Sequence, residues 1–193
     1  MPRRRGLDRR VVIEEAAALA DESGLESVTF ATLAERLRIR APSLYNHLAG
    51  TDDLRTQLAL LGVRALQADL ARAAIGRNGA DGIIAVANAY RRFAKSRPGL
   101  YRATLSAPTP TDIELIAVSS EFLAVMQAVM SPLHLGGNEM IHAMRALRAL
   151  VHGFVSLEAV NGFGLPQEID ESFHFMLQAF VRAFVPDGVA ELG

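Results

Sequence analysis

The sequence predicts an all-α protein, with an N-terminal three-helix helix-turn-helix domain over residues 1–55 and a C-terminal helical domain over residues 56–193. Three observations carry this. Alanine is abundant, at 31 of 193 residues. Apolar residues recur at spacings of three and four, as one face of a helix requires. No stretch sustains the period-two alternation of a half-buried strand. A chain of this length buries roughly 70% of its unfolded surface, so it needs no cross-links to fold.

Each element has its own punctuation. Asp8 is placed to cap a first helix, with Leu7 and Val12 as a hydrophobic staple. Val12, Ala16, Leu19 and Ala20 make its inner stripe, and Gly24 follows where a left-handed residue is wanted. Thr29 caps a second, short helix in which Leu33, Ala34 and Leu37 face inward. A turn over residues 38–41 leads to Pro42, suited to the first position of a third short helix carrying Ser43 to Leu48. Thr51 caps a fourth, with Asp52 and Asp53 in the turn where the helix dipole favours negative charge. Its stripe of Leu54, Leu58, Leu61 and Ala65 continues to about Ile75, roughly 34 Å of helix. Further helices are expected at about 81–96, after Pro98-Gly99, at about 112–130, at about 138–160 with Asn138 as cap, and at about 170–185.

Net charge is −1, which taken alone argues against nucleic acid. The distribution argues the other way. Residues 1–10 hold five arginines and one acid, residues 11–35 hold six acids and no base, and residues 36–47 hold Arg36, Arg38 and Arg40 with no acid. A phosphate backbone responds to such local patches more than to the total. The third helix starts directly after the second basic patch and presents Ser43, Tyr45, Asn46 and His47, with Leu44 and Leu48 as inward anchors. A thin helix with hydrogen-bonding groups outward is what major-groove reading needs. Thr29 at a helix N-terminus, Arg40, Tyr45, His47 and the arm residues Arg3, Arg4 and Arg5 are the candidate phosphate donors. A three-helix start with a merely solvated polar face has the same spacing.

The residues themselves are more specific. Residues 28–37 (VTFATLAERL), 38–48 (RIRAPSLYNHL) and 51–54 (TDDL) resemble the DNA-binding domain of TetR-family transcriptional regulators over about residues 8–60. Leu44-Tyr45-Asn46-His47 after Pro42-Ser43 is the specific part. Arg38 stands at the family's turn glycine, Leu48 at its Phe, and Thr51 at the Lys that opens the next helix. The resemblance implies that Ala41, Pro42, Ser43, Leu44 and Asn46 approach bases. It also implies that Thr29, Tyr45 and His47 contact phosphates, with Thr51 at a position that usually does.

The second domain concentrates the aromatic residues and methionines. Tyr90, Phe93, Tyr101, Phe122, Met126, Met144, His152 and Phe175 are the candidate lining of a ligand cavity, though an ordinary bundle core carries the same stripe. Residues 147–158, followed by Phe163 and Glu171-Ser172-Phe173, resemble the C-terminal domain of a TetR subgroup with Trp-His-Gly where this chain has Val151-His152-Gly153. Gly153 in mid-helix costs about 1 kcal/mol against Ala, which close approach of another helix would offset. Ala146, Leu150, Gly153, Leu177, Phe180 and Phe184 are the candidate dimer interface.

Several classes are excluded as expectations. There is no cysteine, hence no thiol nucleophile, Cys-ligated zinc or iron–sulfur cluster. There is no His-Glu-x-x-His, Gly-x-Ser-x-Gly or phosphate-cradling Gly-rich loop. His134, His142, His152 and His174 show no ligand spacing, so neither a metal nor another cofactor is expected. No run of 18 apolar residues suggests a membrane span. Glu14 and Glu15 break what a signal peptide would need, and a cytoplasmic protein is expected. The reading is a homodimeric regulator, not an enzyme. As a repressor it binds double-stranded operator DNA and is released by a small hydrophobic effector held in the helical ligand-binding and dimerisation domain. The alternatives are an all-α small-molecule enzyme or carrier, and a DNA-binding dimer that takes no ligand.

Overall fold

In the computed structural model, residues 7–106 and 112–184 are described. Among these, the regular elements are all helical. The α-helices are α1 (Arg9–Ser23), α2 (Phe30–Leu37), α3 (Thr51–Ala74), α4 (Gly79–Ser96), α5 (Pro98–Ala103), α6 (Ile113–Met130), α7 (Gly137–Ala159) and α8 (Ile169–Phe184). Short 3-10 segments occur at Leu25–Ser27, Ala41–Asn46 and Ser131–Leu133.

The chain forms two compact units. The first is Met1–Ala65 with Arg97–Ser119, the second Leu66–Ser96 with Ser120–Gly193. The boundary expected between residues 55 and 56 falls inside α3, and residues 97–119, expected in the C-terminal domain, cluster with the N-terminal helices. The reason is local. α5 lies so close to α1 that a Cβ at Gly99 would stand 2.0 Å from the Ala20 carbonyl oxygen and 2.6 Å from the Asp21 nitrogen. Asp21 fixes the contact: its carboxylate accepts from the Leu100 N–H at 2.9 Å and from the Arg97 guanidinium. A carboxylate on α1 thereby caps the N-terminus of α5, where the dipole favours it.

The capping expected at α1 and α2 is present. Asp8 accepts from the Val11 N–H at 2.8 Å, and Thr29 and Thr32 accept reciprocally from each other's N–H at 3.2 and 3.0 Å. Such caps are worth about 1 kcal/mol each. Val12, Ala16, Ala20, Leu33, Leu44, Leu48, Leu54 and Leu58 are buried in the first unit. Three local expectations are corrected. Thr51 is the first residue of α3 rather than its cap, and Asp53 accepts from the N–H of Ala49, which precedes the helix, at 2.9 Å. The α7 N-cap is Gly136, not Asn138, with Glu139 reaching back to its N–H. The expected third helix is a 3-10 segment. Pro42 removes one donor and the segment is only six residues long, which leaves bonds such as Ser43 N–H to Arg40 O at 2.9 Å.

In the second unit, α4 buries Ile83, Val86, Tyr90 and Phe93 and packs against α7 and α8. Phe154 of α7 meets Phe163 and Phe173, with ring centres 4.7 and 4.9 Å apart. The stretch Ile113–Leu133 is long and apolar enough by composition to cross a membrane, although Glu114 and Glu121 interrupt it.

Candidate nucleic-acid interface

The backbone of α2 ends at Arg38, which adopts the left-handed conformation (φ 56°, ψ 43°). This is where the family pattern has glycine. A side chain there costs roughly 1 kcal/mol. The cost is offset by a closed helix end: Arg38 N–H donates to Glu35 O and Ile39 N–H to Ala34 O, both at 3.0 Å. The turn sends Arg38 and Arg40 outward, and neither makes an ion pair among the described residues. Arg36 is different. It donates to Glu15 at 2.8 Å and to both oxygens of Glu22 at 2.7 and 2.8 Å. These bonds raise its pKa and lower that of Glu22. The second basic patch therefore offers two free cations rather than three.

The 3-10 segment is pinned by Leu44 and Leu48, both buried. Pro42, Tyr45 and Asn46 are exposed, while Ala41, Ser43 and His47 are half-buried. The Tyr45 ring rests on Phe30, the first residue of α2, with centroids 4.9 Å apart, which fixes where its hydroxyl points. Thr29, at the N-terminus of α2, and Thr51, at that of α3, are exposed. The geometry brings together Thr29, Arg40, Ser43, Tyr45, Asn46 and His47 within the helix-turn-helix. Leu44 is corrected: fully buried, it anchors the segment and has no surface to offer a base. Arg3, Arg4 and Arg5 lie outside the described residues.

Sequence reasoning missed Asp53. It accepts from Arg9 at 2.8 Å as well as from Ala49 N–H, tying the start of α1 to the start of α3. Its position in the first turn of a helix was the available signal; a partner 44 residues away was not.

The candidate cavity residues divide. Tyr90, Phe93, Met126 and Met144 are buried and Phe122 and His152 half-buried, all in the second unit. Tyr101 is buried on α5, in the first unit. Phe175 is corrected: 69% exposed, it lines no interior. The interface candidates divide as well. Ala146, Leu150 and Gly153 are exposed on α7, and among the described residues nothing lies within 4 Å of where a Cβ on Gly153 would stand. Leu177 and Phe180 are corrected, being buried inside their own unit, and Phe184 is half-buried against Phe180. Leu177 and Phe180 lie on the inward face of α8 and Phe175 on its outward face.

A helix-turn-helix that presents an exposed polar segment has the form of a DNA-binding module, and comparison with known proteins places the chain. Residues 83–180 match the Tetracyclin repressor-like, C-terminal domain family. YobS of Bacillus subtilis, an uncharacterized HTH-type transcriptional regulator, is 33% identical over 96% of both chains. Rv0681 of Mycobacterium tuberculosis, described in the same terms, is 33% identical over 85% of this chain and 74% of its own. Among solved structures, a single-residue variant of TetR from Acinetobacter baumannii in complex with minocycline is 25% identical with a TM-score of 0.64, covering 92% of this chain and 96% of that one. A Rhodococcus protein of unknown function shares the fold with a TM-score of 0.77 at 20% identity, covering 95% and 98%. The chain belongs to the TetR family of transcriptional regulators. It is a DNA-binding regulator and not an enzyme.

Proposed function

We propose that the protein is a homodimeric repressor whose two 3-10 recognition segments enter successive major grooves of a pseudo-palindromic operator. The observation that carries this is the pinned segment. Leu44 and Leu48 hold it from beneath, and Ser43, Tyr45, Asn46 and His47 form its hydrogen-bonding face beside Arg40 and the N-terminus of α2. In this reading Thr29, Arg40, Tyr45, His47 and Thr51 serve phosphates, and Ala41, Pro42, Ser43 and Asn46 lie against base edges. Fluorescence anisotropy on the upstream duplex and on random duplex tests the division. Tyr45→Ala and His47→Ala are expected to weaken both duplexes alike, with unchanged far-UV circular dichroism. Ser43→Ala or Asn46→Ala is expected to cost about 1–3 kcal/mol at one base position in a randomised-site selection. Unchanged preference removes Ser43 and Asn46 as readers.

Dimerisation is assigned to the outward face of α7. Ala146, Leu150, Gly153 and Leu157 stand at spacings of four, three and four, all exposed, with Phe175 exposed on α8. A specific operator needs two such modules about 34 Å apart. Because the space beyond Gly153 is open within the chain, Gly153→Leu is expected to leave the monomer folded and to lower the sedimenting mass by half at micromolar concentration. A dimer of unchanged stability removes this face from the interface.

The effector is proposed to be small and largely apolar, held among Tyr90, Phe93, Phe122, Met126 and Met144. The structure of the TetR variant from Acinetobacter baumannii in complex with minocycline supports a small-molecule ligand, while the apolar lining is the ground for its character.

A further inference from the structure

A cleft in the second unit takes no part in the reading above. It opens to solvent, has a volume of about 620 Å³, and is lined by Asn88, Arg91, Arg92, Lys95, Ser96 and Asp170. None of these is among the apolar residues proposed for the effector. Five come from the C-terminal half of α4 and the sixth from the first turn of α8.

Arg91 is its fixed point. It is 8% exposed, and its guanidinium lies 4.7 Å from the ring centre of Phe173 and 5.5 Å from that of Phe154. Nε and Nη2 donate to the two oxygens of Glu158 at 2.8 and 2.7 Å, and Nη2 also meets Asp170 at 2.8 Å. The two carboxylates are not alike. The Glu158 side chain is 11% exposed and is held a second time by Lys95 at 2.7 Å. The Asp170 side chain is 87% exposed, and a pair that faces water so fully is worth little. Arg92 is exposed and makes no ion pair among the described residues. Three cations, Arg91, Arg92 and Lys95, thus stand against Glu158 and Asp170, leaving one positive charge in excess.

An anion that takes the place of Asp170 loses only a pair that water already screens, and it gains Arg92 and Lys95. A carboxylate suits the place because it is the group it replaces and matches the planar guanidinium edge. Displaced Asp170 stays tethered at the rim of the cleft, so the net excess remains one positive charge, which a carboxylate matches and a doubly charged phosphate exceeds. We propose that this cleft binds the carboxylate of a small organic acid, which displaces Asp170 from Arg91 and is held by Arg91, Arg92 and Lys95. Occupancy releases the tie between α4 and the start of α8, so the site can bias the helices of the second unit.

Calorimetric titration of the full-length protein at constant ionic strength tests this with acetate, benzoate, inorganic phosphate and the neutral benzamide. The acids are expected to bind with dissociation constants of about 1 mM or below, and benzamide and phosphate to give no saturable heat. Asp170→Asn, which removes the internal competitor's charge, is expected to tighten benzoate binding about fivefold. Arg92→Gln is expected to weaken it about tenfold with the melting temperature of the free protein unchanged. The proposal is overturned if neither acid binds, if phosphate binds as well as they do, or if Asp170→Asn leaves benzoate binding where it was. None of these readouts depends on DNA or on release from it.

Discussion

Gly99→Ala is expected to lower stability by about 3 kcal/mol, which for a chain of this size is a fall in melting temperature of roughly 6–12 °C. The added methyl group would stand 2.0 Å from the Ala20 carbonyl oxygen and 2.6 Å from the Asp21 nitrogen. Both are backbone atoms of α1, so no rotamer change relieves the clash. Either α5 lifts from α1 or α1 bends. Lifting also breaks the Asp21 bonds to Leu100 N–H and Arg97, stripping the N-terminus of α5 of its cap. Gly62 makes the same demand from α3: a Cβ there would meet Leu100 O at 2.8 Å and Thr104 Cγ2 at 2.7 Å. The contrast is Gly137→Ala at the start of α7, where nothing lies within 4 Å and no loss is expected. Thermal melts of the three variants order the sites. Equal melting temperatures for Gly99→Ala and the parent would show that α5 is not seated on α1 as described.

These glycines show where sequence reading succeeds and where it stops. Much of what depends on a residue and its near neighbours was legible: Asp8 and Thr29 as caps, Arg38 in the turn, and Leu44 and Leu48 as anchors four apart, though not the caps of α3 and α7 or the 3-10 form of residues 41–46. The exposure of Tyr45 and Asn46 was legible for the same reason, since they sit on one short segment with its own motif. Leu44 was misplaced among base-facing residues because a motif marks positions, whereas burial decides which of them can touch DNA. Contacts across long separations were not legible. Gly99 reads as a helix-start glycine after Pro98, and nothing in its neighbourhood indicates that α1 lies over it. Arg91 and Glu158, 67 residues apart, read as two ordinary surface charges on two helices. The apolar set failed in part for a related reason. Periodicity separates two faces of a helix but does not say which partner covers each. Leu177 and Phe180 are therefore buried, whereas Phe175 is exposed.

Glu158→Ala is expected to cost about 3 kcal/mol, because it leaves the Arg91 guanidinium buried with only the solvent-exposed Asp170 to balance it. Removing one partner of a buried pair is costlier than never having had it, so Arg91→Met with Glu158→Leu is expected to recover most of the loss. The aromatic rings of Phe154 and Phe173, which now lie by the cation, would pack against the methionine. Acid tests the same pair without mutation. Hydrogen bonds from Arg91, and less so from Lys95, hold the Glu158 carboxyl down to about 2 against a usual value near 4.5. Between those values the unfolded chain binds a proton that the folded one does not. The stability Glu158 contributes is therefore complete above about pH 4.5 and is lost as pH falls through about 2. Urea unfolding midpoints followed from pH 6 to pH 2.5 are expected to fall more steeply for the parent than for the Met/Leu double variant. Parallel curves for the two, or a double variant no more stable than Glu158→Ala, would show that Arg91 and Glu158 are not the coupled pair that joins α4 to the end of α7.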